Sequence, residues 1–174
     1  MIKTPTYLSV YDTNNDSYSV LTEYPHDFPK GTHTTTIDRS NGTIYIFTEQ
    51  GYIVSFHIAS KKWKWEIIHG ISCYDAHSLQ NNACSVMVQD TLHIVCGKQH
   101  LAWNRNTKQM RLVNELSVWN SASLIHDEQN QMLLLIGGND PENARSGRSV
   151  TLDTVYMYSL NAEQRSTERQ WKKL

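Results

Sequence analysis

The chain has 174 residues, the size of one ordinary domain, and it is rich in aromatic residues, with five Trp and nine Tyr. Its 16 basic and 17 acidic residues nearly balance and are scattered, so they form no stripe that would neutralise the phosphates of a nucleic acid. We therefore expect a globular, β-rich protein and exclude disorder, a coiled coil and a nucleic-acid partner.

Localisation is inferred from the apolar segments and the cysteines. The N-terminal residues do not contain the apolar core of a signal peptide, and no apolar run approaches the roughly 18 residues that span a bilayer. Cys73, Cys84 and Cys96 include no CxxC pair and leave an odd count, which argues against a disulfide framework. We expect a cytoplasmic protein with no membrane partner.

Short apolar segments separated by turn residues run along the chain and predict β-strands. Tyr11 ends the first of them and Tyr18 begins the second. Further on, HTTTID and TIYIF flank Asn41-Gly42, a strong signal for a tight hairpin. No long window has the i, i+3, i+4, i+7 spacing of an amphipathic helix. The predicted fold class is all-β.

The strands recur as a unit of four. An aromatic residue ends the third strand of each unit and a bulky residue begins the fourth. These pairs are Tyr11 with Tyr18, Phe56 with Trp63, Trp103 with Met110, and Tyr158 with Trp171. The leading aromatics lie 45, 47 and 55 residues apart. The predicted units, all within one domain of residues 1–174, are a half unit at 6–22 and full units at about 33–68, 83–113 and 121–174.

The last unit resembles a Kelch repeat, since an apolar strand is followed by Gly137-Gly138, a loop, the segment VYMYSL and then Trp171. The stretches FHIASKKW and VYDTNNDSY are similar to the family's Tyr-Asp-x-x-x-x-x-Trp motif. The resemblance implies a β-propeller with one four-stranded antiparallel blade per unit. It implies a partial propeller of about three and a half blades, whose missing blades come from a longer chain or another subunit. A galactose-oxidase-like propeller remains open as an alternative.

Two glycines, Gly137 and Gly138, invite comparison with phosphate-binding loops. Such loops read Gly-x-x-x-x-Gly-Lys-Ser/Thr or Gly-x-Gly-x-x-Gly and lead into a helix. The sequence here is Gly-Gly-Asn-Asp-Pro and matches neither pattern. We expect structural glycines at a strand exit, with no bound cofactor.

The histidines and cysteines are candidates for metal chemistry. His69 and His77 are eight residues apart and His93 and His100 seven, rather than the short spacing of zinc ligands. Copper chemistry of the galactose-oxidase kind would need a Cys, two Tyr and two His to converge. We expect ordinary hydrogen-bonded or exposed histidines, small core cysteines and no metal.

The most distinctive segment is NDPENARSGRSVTL, residues 139–152. The corresponding connections, 48–51 and 97–99, have only three or four residues. The charged residues of the long loop are predicted to contact a partner, because Arg binds carboxylates and phosphates through a bidentate fork. These residues are Asp140, Glu142, Arg145 and Arg148. A tolerated insertion without function is the alternative.

The expected function is a non-catalytic scaffold that binds an unidentified protein. In the Kelch family such propellers recruit substrates or act as cytoskeletal adaptors. The alternative is an enzyme on the same architecture, such as an oxidase, an epimerase or a specifier protein. Trp63 and Trp65 alternate with charged residues, and we expect them to pack in the core rather than form a binding platform.

Overall fold

The computed structural model describes residues 7–28, 33–48, 50–67, 83–97, 99–116, 120–139, 154–161 and 171–174. Within these ranges the regular structure consists of strands alone. The strands are β1 Tyr7–Asp12, β2 Ser17–Glu23, β3 His33–Asp38, β4 Thr43–Thr48, β5 Tyr52–His57, β6 Lys62–Ile67, β7 Cys84–Val88, β8 Thr91–Cys96, β9 Gln99–Asn104, β10 Met110–Glu115, β11 Asn120–Asp127, β12 Met132–Asn139, β13 Val155–Ser159 and β14 Lys172–Lys173. In this part of the chain, no helix has the length and apolar character needed to cross a membrane.

The strands form four antiparallel sheets, which we number in chain order. Sheet I contains β1 and β2, sheet II contains β3 to β6, sheet III contains β7 to β10, and sheet IV contains β11 to β14. Each strand pairs with its neighbour in sequence, so every sheet is a simple meander. The predicted all-β class is confirmed.

The hairpin between β3 and β4 forms where Asn41-Gly42 predicts it, but its connection is longer than two residues. Asp38 pairs with Thr43, so residues 39–42 make the turn. The Asp38 carboxylate accepts a hydrogen bond from the Ser40 backbone N–H at 3.0 Å, and the Asn41 side chain accepts one from the Thr43 N–H at 3.0 Å. These side-chain contacts stabilise the wider turn. Gly42 supplies the positive φ, 65°.

Sheets II, III and IV stack face to face, because alternate residues of each strand are apolar and point to the same side. The core between sheets II and III consists of Tyr45, Phe47, Ile53, Leu92, Ile94, Cys96, Leu101 and Trp103. The core between sheets III and IV consists of Val88, Val95, Leu116, Leu124, Leu133, Leu135 and Tyr158. Full burial of each large side chain stabilises the fold by about 1.5–3 kcal/mol.

Charged side chains reinforce the contact between sheets II and III. Arg105, which follows β9, binds the buried carboxylate of Asp38 at the end of β3 and also the carboxylate of Asp90, with Nε 2.8 Å from Oδ1. At another point of the same interface, Lys108 Nζ lies 2.9 Å from Glu66 Oε1. The guanidinium fork suits two carboxylates at once, so Arg105 links the two sheets at this point.

The segment that follows sheet I packs on the side of sheet II that faces away from sheet III. The segment after β2 brings Tyr24 and Phe28 against Trp63, with ring centroids 5.2 and 5.9 Å apart, and Phe28 also lies 5.9 Å from Trp65. Trp63 and Trp65 therefore pack against aromatic residues of the chain itself. The stack follows the chain order from sheet II to sheet IV, and the segment after sheet I covers the outer side of sheet II.

Candidate functional site

The four residues predicted to contact a partner, Asp140, Glu142, Arg145 and Arg148, lie outside the described residues. The strands on either side are described, and they show where this connection begins and ends. It links the second strand of sheet IV to the third, as residues 49–51 do in sheet II and residues 97–98 do in sheet III. All three connections therefore leave their sheets at the same edge of the stack.

Gly137 and Gly138 lie at the end of β12, at the base of this long connection. Their φ angles are 73° and 109°, values that residues with a Cβ rarely adopt. The Gly137 N–H donates a hydrogen bond to the Thr154 carbonyl at 3.0 Å, so the two ends of the connection are held together. The positive φ angles are enough to explain why glycine occupies both positions, and no bound anion is needed to explain them.

The aromatic positions of the sequence repeat meet as cross-strand pairs. Ring centroids are 4.7 Å apart for Tyr11 with Tyr18, 4.7 Å for Phe56 with Trp63, and 5.5 Å for Tyr158 with Trp171, while Trp103 pairs with Met110 in register. Three of the leading aromatics are buried: Phe56 is 0%, Trp103 1% and Tyr158 5% exposed. Tyr11 in sheet I is 45% exposed.

A buried pair of histidines lies between sheets III and IV. His93 is in β8 and His100 in β9, and His93 Nδ1 lies 2.9 Å from His100 Nε2. One imidazole must donate this hydrogen bond and the other accept it. The His100 ring packs edge to face on Tyr158, 5.0 Å between centroids, and lies 5.5 Å from Trp171. The pair joins sheet III to the aromatic positions of sheet IV.

Both histidines are held neutral at physiological pH. The pKa of His93 is lowered to about 4, mainly by burial and also by the positive charges of Arg111 and His126. The pKa of His100 is lowered to about 3, mainly by burial and also by His93 and Arg111. His100 Nδ1 finds no hydrogen-bond partner among the described residues. Protonation of either ring would place a charge in the core.

The pair replaces apolar residues that the other sheets have at the same register positions. Aligning Phe56, Trp103 and Tyr158 by their cross-strand partners makes His93 equivalent to Tyr45 and Leu134, and His100 equivalent to Ile53 and Val155. Tyr45 and Ile53 belong to the apolar core between sheets II and III. Sheet III therefore has a hydrogen-bonded histidine pair at register positions where sheets II and IV have apolar side chains.

Sequence reasoning singled out His93 and His100 but not their contact. The available signal was their placement around the turn at Gly97: Val95 is opposite His100 and Ala102 is opposite His93, so a tight β8–β9 hairpin puts both histidines on one face. The pairing register of β8 and β9 decides whether the two histidines share a face, because a slip of one residue would move one histidine to the other face of the sheet.

Residues with metal-binding side chains are dispersed in the part of the chain that the structure describes. No group of three or more His, Cys, Asp or Glu has metal-site geometry there. Cys96 is buried and Cys84 half-buried, both as free thiols, and burial raises the pKa of Cys84 to about 12, which makes it a poor nucleophile. His69, His77 and Cys73 lie outside the described residues.

Comparisons with known proteins bear on the fold. No protein-family model matches the chain, and no curated protein matches it. Among solved structures, the chain is similar to one described as "Structure of YjhT", with 14% sequence identity and a TM-score of 0.62. The match covers 98% of this chain and 59% of that one, so the chain spans about three fifths of its length. At this identity the likeness shows the fold alone, an all-β arrangement of antiparallel sheets compatible with a β-propeller.

Proposed function

We propose that the chain is part of a Kelch-type β-propeller that acts as a non-catalytic scaffold and binds another protein through the loop between β12 and β13. Three observations support the propeller: the stacked four-stranded meanders, the aromatic residue at an equivalent position of the third strand in each full unit, and the likeness to a longer chain. The three and a half blades are two-stranded sheet I and four-stranded sheets II to IV.

The main support for a binding role is the backbone hydrogen bond at the base of the loop. The hydrogen bond between Gly137 and Thr154 closes a connection that contains two acidic residues and two arginines within nine positions. A rigid sheet with a long loop at its edge is a common arrangement for recognition. Arg145 and Arg148 fit a partner with exposed carboxylate or phosphate groups, because the guanidinium binds such groups in bidentate fashion.

The test is to shorten the loop while keeping its base. In one variant, residues 140–152 are replaced by Glu-Gln-Gly, the residues 49–51 that connect β4 to β5. In a second, Arg145→Ala is combined with Arg148→Ala. Proteins that copurify from cells with the tagged chain are quantified for each variant by mass spectrometry. We expect the same set of proteins to be lost with both variants and kept with the unaltered chain.

The matched control is Lys61→Ala combined with Lys62→Ala, which removes the same charge from the last turn residue and the first residue of β6, at the opposite edge of sheet II. It is expected to retain the bound proteins. Thermal melting of all variants shows whether the fold is unchanged. A set of bound proteins that survives loop replacement would refute the loop as the binding site.

The alternative of a propeller enzyme requires titratable groups that a substrate can reach. Among the described residues, the histidines with the largest pKa shifts are His93 and His100, and they are 6% and 0% exposed. They are positioned to stabilise an interface rather than to contact a substrate. The scaffold is therefore the function that these observations support best.

A further inference from the structure

Sheet I exposes an aromatic surface, which we call the tyrosine face: Tyr7, Tyr11, Tyr18 and Val20. Tyr11 is directly opposite Tyr18 and Ser9 opposite Val20, so these side chains lie on one side of the hairpin. The four are 47%, 45%, 79% and 61% exposed. A cluster of this kind on a two-stranded sheet is characteristic of an interaction surface.

Sheet IV exposes an aliphatic surface at the other end of the stack, which we call the aliphatic face: Ile125, Met132, Leu134, Ile136, Val155 and Met157. Leu133 and Leu135 are buried against sheet III, so their neighbours in β12 point the opposite way. Ile125 is 47% and Ile136 38% exposed, and the other four are half-buried.

Both faces occupy register positions that are buried elsewhere in this chain. Tyr11 corresponds to Phe56, Trp103 and Tyr158, of which none is more than 5% exposed. Ile136 corresponds to Phe47 and Val95, each 2% exposed. In the interface between sheets II and III, the second strand of one sheet meets the third-strand aromatic of the next, with Tyr45 5.7 Å from Trp103. The aliphatic face is thus the first half of such an interface, and the tyrosine face is the second half.

We infer that the aliphatic face of one copy of this chain packs against the tyrosine face of a second copy, which continues the stack of sheets from sheet IV of one copy to sheet I of the next. The contact is heterologous, since different surfaces meet. It extends the arrangement already present between sheets II, III and IV. It concerns assembly and is independent of what the loop between β12 and β13 binds.

Charge placement supports the same pairing. Between sheets II and III, Lys108 of the β9–β10 turn reaches Glu66 on β6. Asp16 has the place of Lys108 in the β1–β2 turn: each follows the leading aromatic by five residues, with φ of 48° and 60°. The strand equivalent to β6 in sheet IV is β14, where the exposed Lys172 has the register place of Lys64, two residues before the place of Glu66 on the same face. A lysine therefore lies two residues from the place that Glu66 has in sheet II, so Asp16 of one copy would face Lys172 of the other.

The first test uses Tyr18→Lys and Ile125→Lys, each at an exposed position of one face. The mass of each protein is measured by analytical ultracentrifugation over a range of concentrations. We expect the unaltered chain to self-associate and each variant to associate at least about tenfold more weakly, because each buries an unpaired ammonium in the contact. The matched control is Leu112→Lys, at a 46% exposed residue of β10 on neither face, which should associate as the unaltered chain does.

Mixing the two variants distinguishes this contact from any symmetrical one. Tyr18→Lys keeps a native aliphatic face and Ile125→Lys keeps a native tyrosine face, so an equimolar mixture should form a complex at concentrations at which each alone is monomeric. A mixture that stays monomeric, or an unaltered chain that is monomeric throughout, would overturn the inference.

A charge exchange serves as a second test that keeps every side chain of both faces, although it removes the Asp16 carboxylate that accepts a hydrogen bond from the Tyr11 hydroxyl. Asp16→Lys alone should weaken self-association, and combining it with Lys172→Asp should restore it. Loss without restoration in the double variant, with circular dichroism unchanged, would contradict the proposed orientation of the two copies.

Discussion

Replacing the buried histidine pair with apolar residues should remove most of the pH dependence of stability between pH 8 and pH 5. The perturbation is His93→Leu combined with His100→Val, which copies Leu134 and Val155 at the same positions of sheet IV. These residues suit the position, because the equivalent side chains of sheet II also lie in an apolar core. The variant removes two titratable groups that are buried when the chain folds.

The size of the effect follows from the pKa values. An ordinary histidine titrates at 6.5, whereas in the folded chain the pKa is about 4 for His93 and about 3 for His100. Below pH 6.5 the unfolded chain therefore binds more protons than the folded chain, and the free energy of unfolding falls as the pH decreases. At pH 5 the loss is about 2 kcal/mol for each histidine, or about 4 kcal/mol for both. Above about pH 7.5 this contribution to stability is fully present.

The assay is urea unfolding followed by tryptophan fluorescence at equal protein concentration from pH 8 to pH 5. Most carboxyl groups titrate below about pH 4.5, so this range isolates the histidines. The unaltered chain should lose stability on acidification and the double variant should be nearly flat. Equal slopes for the two proteins would refute the inference that the pair is buried and neutral.

Two further predictions concern single contacts and are measured by the same unfolding assay at pH 7.5. Arg105→Ala should destabilise the chain by about 3–5 kcal/mol because it leaves the 5% exposed carboxylate of Asp38 unpaired, whereas Asp90→Ala, at a 45% exposed partner, should cost less than about 1 kcal/mol. Similar costs for the two would contradict the assignment of Asp38 as the buried partner. Leu133→Ala should cost about 2–5 kcal/mol through the cavity it leaves, and Leu134→Ala on the opposite side of β12 clearly less. The reverse order would show that β12 is paired in a different register.

Much of the architecture was predictable from local patterns. Alternating apolar residues, together with turn signals such as Asn41-Gly42, specify strands and hairpins through contacts between neighbours in sequence. The aromatic repeat from Tyr11 to Trp171 predicted four-stranded units, and the structure has four-stranded sheets over the three full units. The Kelch assignment and the partner-binding loop stay predictions.

The contacts of the candidate site were harder to predict from the sequence than the strands were. The sequence spacing of His93 and His100 is not typical of metal ligands, and their contact depends on how β8 and β9 pair. The Arg105 contact with Asp38 joins residues 67 positions apart on different sheets. No local pattern indicates such a pair, because it results from the stacking of two sheets.

The sequence by itself therefore determined the all-β class, the unit of four strands and the aromatic positions, since each depends on periodicity along a single strand or hairpin. The tertiary structure alone decided which of those positions are buried. Phe56, Trp103 and Tyr158 are covered while Tyr11 is half exposed, although all four end the third strand of a unit. The physical reason is that burial of a sheet face depends on the neighbouring sheet, which residues within the strand do not specify.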